Sequence, residues 1–231
     1  MRTSLPTNVV ALSDLRDQLG VFRNREHAGE ILARMLEDYS DSEAIVMAVP
    51  AGGVPVAKVL AEHLNLPLDI AVVSKITLPW NTEVGYGAVA FDGTVRLNND
   101  LVARLGLADE EIQQGISKTS AKVAHRVKNL RGGQTLPDLS TSQIILVDDG
   151  LASGFTMQVA VEAVQKAGTH SINVAVPTGH QRSVGRIAGE VDILYCANIR
   201  GGYQFAVADA YLRWSDVSEK EVVSLLAGAL R

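Results

Sequence analysis

Two adjacent carboxylates, Asp148 and Asp149, follow the apolar run Ile144–Val147 and precede the small-residue turn Gly150-Leu151-Ala152-Ser153-Gly154-Phe155-Thr156. A buried strand ending this way sets polar groups outside the carboxyl end of a sheet, where open α/β folds bind ligands. The helix that begins at the turn offers unpaired N–H groups and the positive end of its dipole, a seat for a phosphate. Gly150 and Gly154 let the backbone curl round the anion, and Ser153 and Thr156 can donate hydroxyl hydrogens to it. Acids facing a phosphate would repel it. Asp148 and Asp149 therefore make chemical sense against neighbouring hydroxyls, as on a ribose, or against a divalent cation. The local alternative is that both acids cap the helix and the glycines serve only the turn. The segment lacks the Gly-Lys-Ser/Thr ending of a Walker loop and the three spaced glycines of a dinucleotide fingerprint.

A second strand-turn-helix junction, Val49-Pro50-Ala51-Gly52-Gly53-Val54, repeats the logic, and the amides around Gly52 and Gly53 could hold another phosphate. A purely structural turn is the competing reading. Lys75 follows the apolar run Ile70–Val73 as a cation or as a solvated strand end. Arg23 and Arg25 could reach the site of a neighbouring subunit or pair with Glu26 and Glu30. Arg126 and Arg131 are further candidate cations, or a charged helix surface. Pro177-Thr178-Gly179-His180 ends a third apolar run on the same edge. Tyr203, Phe205 and Tyr211 could stack a planar heterocycle or pack as ordinary hydrophobic residues. His27, His63, His125, His170 and His180 are not spaced as zinc ligands, and Ser153 and Ser183 lack the elbow of a hydrolase nucleophile.

The elements that must position these residues alternate. Helical spacing runs over Glu26–Tyr39, with Ala28, Ile31, Leu32, Met35 and Leu36 on one face. Strands are expected at Ala44–Val49, Leu68–Val73, Gln143–Val147, Ser171–Val176 and Asp192–Ala197, and a further one at Phe205–Leu212. Helices are expected at Val54–Leu64, Asn98–Leu107, Asp109–Asn129, Thr156–Ala167, His180–Gly189 and Ser218–Leu230, the last with Ser218 as cap and Glu221 three residues on. From Lys75 to Gly93 the pattern weakens into a long loop or an irregular hairpin. Strands flanked by helices, with continuous β-branched runs, predict an α/β fold with a central, mostly parallel sheet covered on both faces. Residues 1–231 read as a single domain in which residues 197–217 pack as a small cap.

The net charge of −5 over 231 residues comes without a run of Lys or Arg, so no counterion-releasing surface for nucleic acid or an anionic membrane is present. Any anion must be held locally. No apolar run reaches a signal-peptide core or the roughly 20 residues of a membrane span. Cys196 is the single cysteine, so neither an intrachain disulfide nor a thiolate metal cluster can form. A reducing, cytoplasmic location is the expectation.

The acidic loop resembles the phosphoribosyl-pyrophosphate (PRPP) motif of type I phosphoribosyltransferases: an apolar run, two acids, then a small loop ending Thr-Gly-x-Thr. Ser153 stands here for the first Thr. The chain is similar, from Phe22-Arg23-Asn24-Arg25 through the Pro-x-Gly-Gly turn, Lys75, Glu83–Ala90 and the acidic loop to the C-terminal aromatics, to a group of predicted phosphoribosyltransferases of unassigned substrate. The resemblance implies that Asp148 and Asp149 hold the ribose hydroxyls and can ligate Mg²⁺. It implies that Gly150 and Ala152, Ser153, Gly154, Phe155 and Thr156 cradle the 5′-phosphate, and that Gly52 and Gly53 receive pyrophosphate. Lys75 would start a flexible catalytic loop, about residues 76–95, in which Glu83 ligates metal or orients the acceptor. Residues 197–217 would form a hood over a small planar acceptor, and pairing into a homodimer or a larger homo-oligomer would be usual. Ala51 and Ser74 stand where relatives tend to carry cations. A binding or regulatory protein that has lost transfer is therefore the alternative, with a phosphohydrolase as a third reading.

Overall fold

The computed structural model describes residues 5–132, 134 and 136–228, the side chains of Thr82 and Glu83 excepted. The chain starts with a two-residue strand, β1 (Val9–Val10), and helix α1 (Arg25–Met35), whose N-terminus is capped by the Asn24 side chain accepting from the His27 amide. Strand β2 (Ile45–Ala48) leads into α2 (Gly53–Leu64), then β3 (Leu68–Ile70). An antiparallel unit follows: β4 (Val73–Leu78), β5 (Asn81–Ala90) and β6 (Val95–Leu97). Helices α3 (Asn99–Leu105) and α4 (Asp109–Arg131) precede β7 (Gln143–Val147) and α5 (Phe155–Lys166). The chain ends with β8 (Ser171–His180), α6 (Gln181–Ala188), β9 (Ile193–Arg200) and α7 (Glu219–Leu226).

Six strands form one parallel sheet in the order β1-β9-β8-β7-β2-β3. Side chains alternate across it, as the strand period of two requires. Val46, Ala48, Ile145 and Val147 join a core with residues of α1, α2, α4 and α7. Met47, Val49, Ile144 and Leu146 join another with α5 and α6. Burial on both faces explains why β7 reads as an unbroken apolar run. Carboxyl ends of β2 and β7 lie side by side, because Ala48 is in register with Val147, while β8 continues past Ala175 alongside the acidic turn to His180. That register brings the two glycine turns together.

Of the two forms expected from Lys75 to Gly93, a long loop or an irregular hairpin, the structure has the hairpin: a bulged antiparallel ribbon, with register shifts at Ile76/Thr77 and Thr77/Leu78. Ile76, Leu78 and Tyr86 pack into the first core and Ala88 and Ala90 into the second, so the ribbon buries both of its faces, while Trp80 at its tip is exposed. One expectation changes. Phe205–Leu212 is not a strand: it holds a short 3-10 turn, Val207–Ala210, and one bridge, Tyr211 with Phe22. Its amides are satisfied locally and by the chain before α1, as in Tyr211 N–H to Ala208 O and Leu212 N–H to Phe22 O, which leaves no ladder to extend. Among the described residues, no helix is long and apolar enough to cross a membrane.

Candidate functional site

The chain leaves β7 at Val147 and turns through Asp148–Gly154 into α5. Leu151 stitches the turn onto β8, donating its N–H to Thr178 O and accepting from His180 N–H, each at 2.9 Å. Gly154 sits at φ +72°, a left-handed conformation that favours glycine, and serves as the N-cap of α5 without any side-chain cap. The two acids therefore do not cap this helix. Ser153 Oγ accepts from Phe155 N–H at 3.3 Å. The carbonyls of the turn point away into α6: Ser183 Oγ donates to Ala152 O at 2.5 Å, and Arg186 donates to Ser153 O. With the Ala152 and Ser153 carbonyls tied to α6, no hydrogen bond to these carbonyls competes with an anion placed at the start of α5.

A cavity of about 300 Å³ opens over this turn. Val49 and Pro50 come from the first glycine turn, Lys75 from β4, Asp148, Gly150, Ser153, Gly154 and Thr156 from the acidic loop, and Val207 from the C-terminal segment. Lys75 is exposed, Asp148 and Thr156 are half-buried, and Ala152 and Ser153 are open to solvent. The Pro50–Ala51 peptide is cis. Gly53 lies so close beneath the acidic loop that a Cβ there would stand 2.5 Å from Val147 O and 2.9 Å from Asp148 Cα. A Cβ on Gly150 would meet Val207 at 2.6 Å, so the C-terminal segment rests directly on the acidic loop.

The acids differ in surroundings. Asp148 lines the cavity and accepts the Asp149 N–H on Oδ1 at 2.8 Å. Burial pushes its carboxyl well above the usual carboxylate range, and the neighbouring Asp149 adds to this. Asp149 is turned the other way, onto Arg25: Nε and a terminal nitrogen of the guanidinium both stand 2.9 Å from Oδ2. Burial raises the Asp149 carboxyl too, opposed chiefly by the Arg25 charge. Arg25 is itself buried, donates to Ser215 O at 2.8 Å and stacks 3.8 Å over the Trp214 ring. Tyr211 donates its hydroxyl to Asp149 O at 2.7 Å.

The sequence expectations for the other residues separate accordingly. Asp148, Lys75, Gly150, Ala152, Ser153, Gly154 and Thr156 come together round one cavity; Gly52 and Gly53 lie behind it, and Phe155 begins α5. Glu83 falls within β5, but its side chain lies outside the described residues. Arg25 pairs with Asp149 of its own chain, a partner that the sequence reading had not foreseen, while Arg23 pairs with Glu30 at 3.5 Å. Arg131 is no cation for a ligand, being buried against Asp69 at 2.9 Å and Ile70 O at 2.9 Å. Arg126 donates to Ser74 Oγ at 3.3 Å and pairs with Glu219 at 3.4 Å. Phe205 packs under Arg200 and beside His180, whereas Tyr203 is fully exposed. No group of three or more His, Cys, Asp or Glu is arranged for a metal ion among the described residues.

Residues 21–209 match the family described as the phosphoribosyl transferase domain. Two Mycobacterium tuberculosis proteins, from strains CDC 1551 / Oshkosh and H37Rv and both provisionally named as phosphoribosyl transferases, are each 33% identical over 91% of this chain. This chain spans about half the length of these relatives, 47%. Among solved structures, TT1426 from Thermus thermophilus superposes with a TM-score of 0.72 at 28% identity, covering 91% of this chain and 99% of that one.

Proposed function

This chain belongs to the type I phosphoribosyltransferase family, and from that premise we propose that it transfers the phosphoribosyl group of PRPP to a small, planar nitrogen acceptor with the help of Mg²⁺. The observation that carries this reading is the cavity in which Asp148, Lys75, the first glycine turn and the start of α5, with glycine at its N-cap, converge. The 5′-phosphate lies on the turn Ala152–Thr156, held by amides of the α5 N-terminus and by the hydroxyls of Ser153 and Thr156. Asp148 accepts hydrogen bonds from ribose hydroxyls. The pyrophosphate lies toward Pro50–Gly53, where Lys75 offsets the negative charge that gathers on the leaving group.

In the reaction the bond between C1 and the pyrophosphate oxygen breaks, and its electron pair leaves with pyrophosphate. The lone pair of the acceptor nitrogen forms the new C1–N bond, and the nitrogen's proton is lost to solvent or to pyrophosphate. Negative charge at Asp148 favours the cationic sugar centre between these events. Mg²⁺ takes one or two carboxylates together with substrate phosphates rather than an all-protein cage, a donor set that Asp148 beside a pyrophosphate supplies; the bound ion would neutralise the departing diphosphate. Glu83, on the ribbon that carries Lys75, is proposed to meet the metal or the acceptor. The proposed setting is cytoplasmic, and the proposed assembly is a homodimer or a larger homo-oligomer.

A second reading, binding without transfer, is favoured by Ala51 and Ser74, which leave the pyrophosphate side with Lys75 as its cation among the cavity residues. Incubating the purified protein with Mg²⁺, PRPP and a panel of purine and pyrimidine bases, read by mass, tests both. A new nucleoside monophosphate with release of pyrophosphate is the expected result. PRPP retained without product would establish the binder, and phosphate released without an acceptor would establish hydrolysis.

A further inference from the structure

The acid pair that the motif treats as equivalent is divided by the fold. Asp148 lines the cavity; Asp149, its neighbour, does not, and its carboxylate is committed elsewhere. Oδ2 of Asp149 takes two guanidinium nitrogens of Arg25, and it lies 1.9 Å from where a Cβ on Gly52 would stand, so the carboxylate is pressed against the first glycine turn. On its other side Arg25 reaches Ser215 O and the face of Trp214, and the Asp149 carbonyl receives the Tyr211 hydroxyl. One ion pair thus touches the acidic loop, the first glycine turn and the C-terminal segment that places Val207 at the cavity. Swinging Asp149 toward a sugar would strand a buried guanidinium, which is strongly unfavourable.

We propose that the two acids have separate roles: Asp148 alone takes the sugar hydroxyls, and Asp149 touches no substrate but forms with Arg25 a positioning pair that holds both glycine turns and the C-terminal segment in one geometry. The inference rests on the phosphoribosyl reading of the cavity. It makes Arg25 a positioning residue that acts through Asp149, and it accounts for the bare glycine at position 52, since any side chain there would displace the carboxylate.

The test uses the full chain and three probes: ribose 5-phosphate and its 2-deoxy and 3-deoxy forms, with affinities measured by calorimetry for the unaltered protein, Asp148→Asn, Asp149→Asn, Arg25→Met, Arg25→Lys and the double variant Arg25→Met/Asp149→Asn. Asp148→Asn is expected to erase the preference for the fully hydroxylated sugar. Asp149→Asn and Arg25→Met are each expected to weaken all three probes by a similar factor, about tenfold, because a misplaced cradle serves every sugar poorly. The double variant should be no weaker than the stronger single one, since residues acting through each other do not add. Arg25→Lys, which keeps the charge but not the fork, should recover part of the loss, and it carries the test should Arg25→Met fail to fold. Loss of hydroxyl preference in Asp149→Asn, or unchanged affinities in both Arg25→Met and Arg25→Lys, would overturn the inference. Absence of ribose 5-phosphate binding by the unaltered protein would overturn the phosphoribosyl reading and this inference with it.

Discussion

Asp148 sits half-buried beside a second acid, and its carboxyl is held well above the ordinary range by burial first and by Asp149 next. A folded-state pKa above the unfolded one means that the fold binds the proton more tightly than the unfolded chain does. Stability then declines as pH rises from the unfolded value through the folded one, and the ionised group is a cost at neutral pH. Asp148→Asn removes that cost together with the charge and one of the two acceptor oxygens offered to the sugar hydroxyls, a trade of function against stability. It is expected to raise neutral-pH stability by about 1 kcal/mol, or the melting temperature by roughly 2–4 °C, while weakening sugar-phosphate binding. The gain should fade as pH falls through the folded value and vanish well below about 4, where the carboxyl is protonated both folded and unfolded. Melting curves of both proteins across pH check this; a gain that is absent, or constant with pH, contradicts it.

Lys75 reaches the cavity because of the ribbon on which it stands, and that ribbon is pinned to α4 through Tyr86. Tyr86 is buried against the helix at Gly115, where an added Cβ would lie 2.0 Å from the phenol oxygen and 2.9 Å from Ile76 Cγ2. Alanine in a helix interior gains about 1 kcal/mol over glycine, but overpacking a closed contact costs about 1–3 kcal/mol. Steric conflict wins, and Gly115→Ala is expected to destabilise the protein by about 1 kcal/mol, measured by denaturant unfolding. Adding Tyr86→Phe removes the conflicting oxygen and should return part of that loss. Stability unchanged in Gly115→Ala would mean that α4 and the ribbon are not locked at this point. At the other end of α4, Arg131 lies buried with Asp69, each side chain 4% exposed, so the helix is fixed to β3 by an ion pair rather than by apolar packing alone.

Across the whole molecule the site is assembled from β2, β4, β7 and the segment after β9, which are far apart in the chain and meet only when the sheet is complete. A ligand bridging these parts should stabilise the entire fold. With Mg²⁺ and PRPP at a hundred times the dissociation constant the gain is about 2.7 kcal/mol, or roughly 5–10 °C in melting temperature for a chain of this size. Thermal scans with and without the pair measure it, and the shift should shrink in Asp148→Asn. No shift at saturating PRPP would contradict the proposed ligand.

The sequence by itself determined the parts whose physics is local. The run Ile144–Val147, the acids and the glycine turn specify a strand, a bend and a helix start within about a dozen neighbouring residues, and the structure has β7, the Asp148–Gly154 turn and α5 there. Ser218 was legible as a helix cap for the same reason, accepting the Glu221 amide as its spacing foretold. What tertiary structure decided is every relation between distant residues. Arg25 finds Asp149 across 124 positions, Arg131 is drawn to Asp69 rather than to a ligand, and Phe205–Leu212 gives up a strand because its amides close locally and on Phe22. A side chain's type states what it can pair with, but burial and register choose the partner. That is why the two adjacent acids read alike in the sequence and stand in different surroundings in the fold.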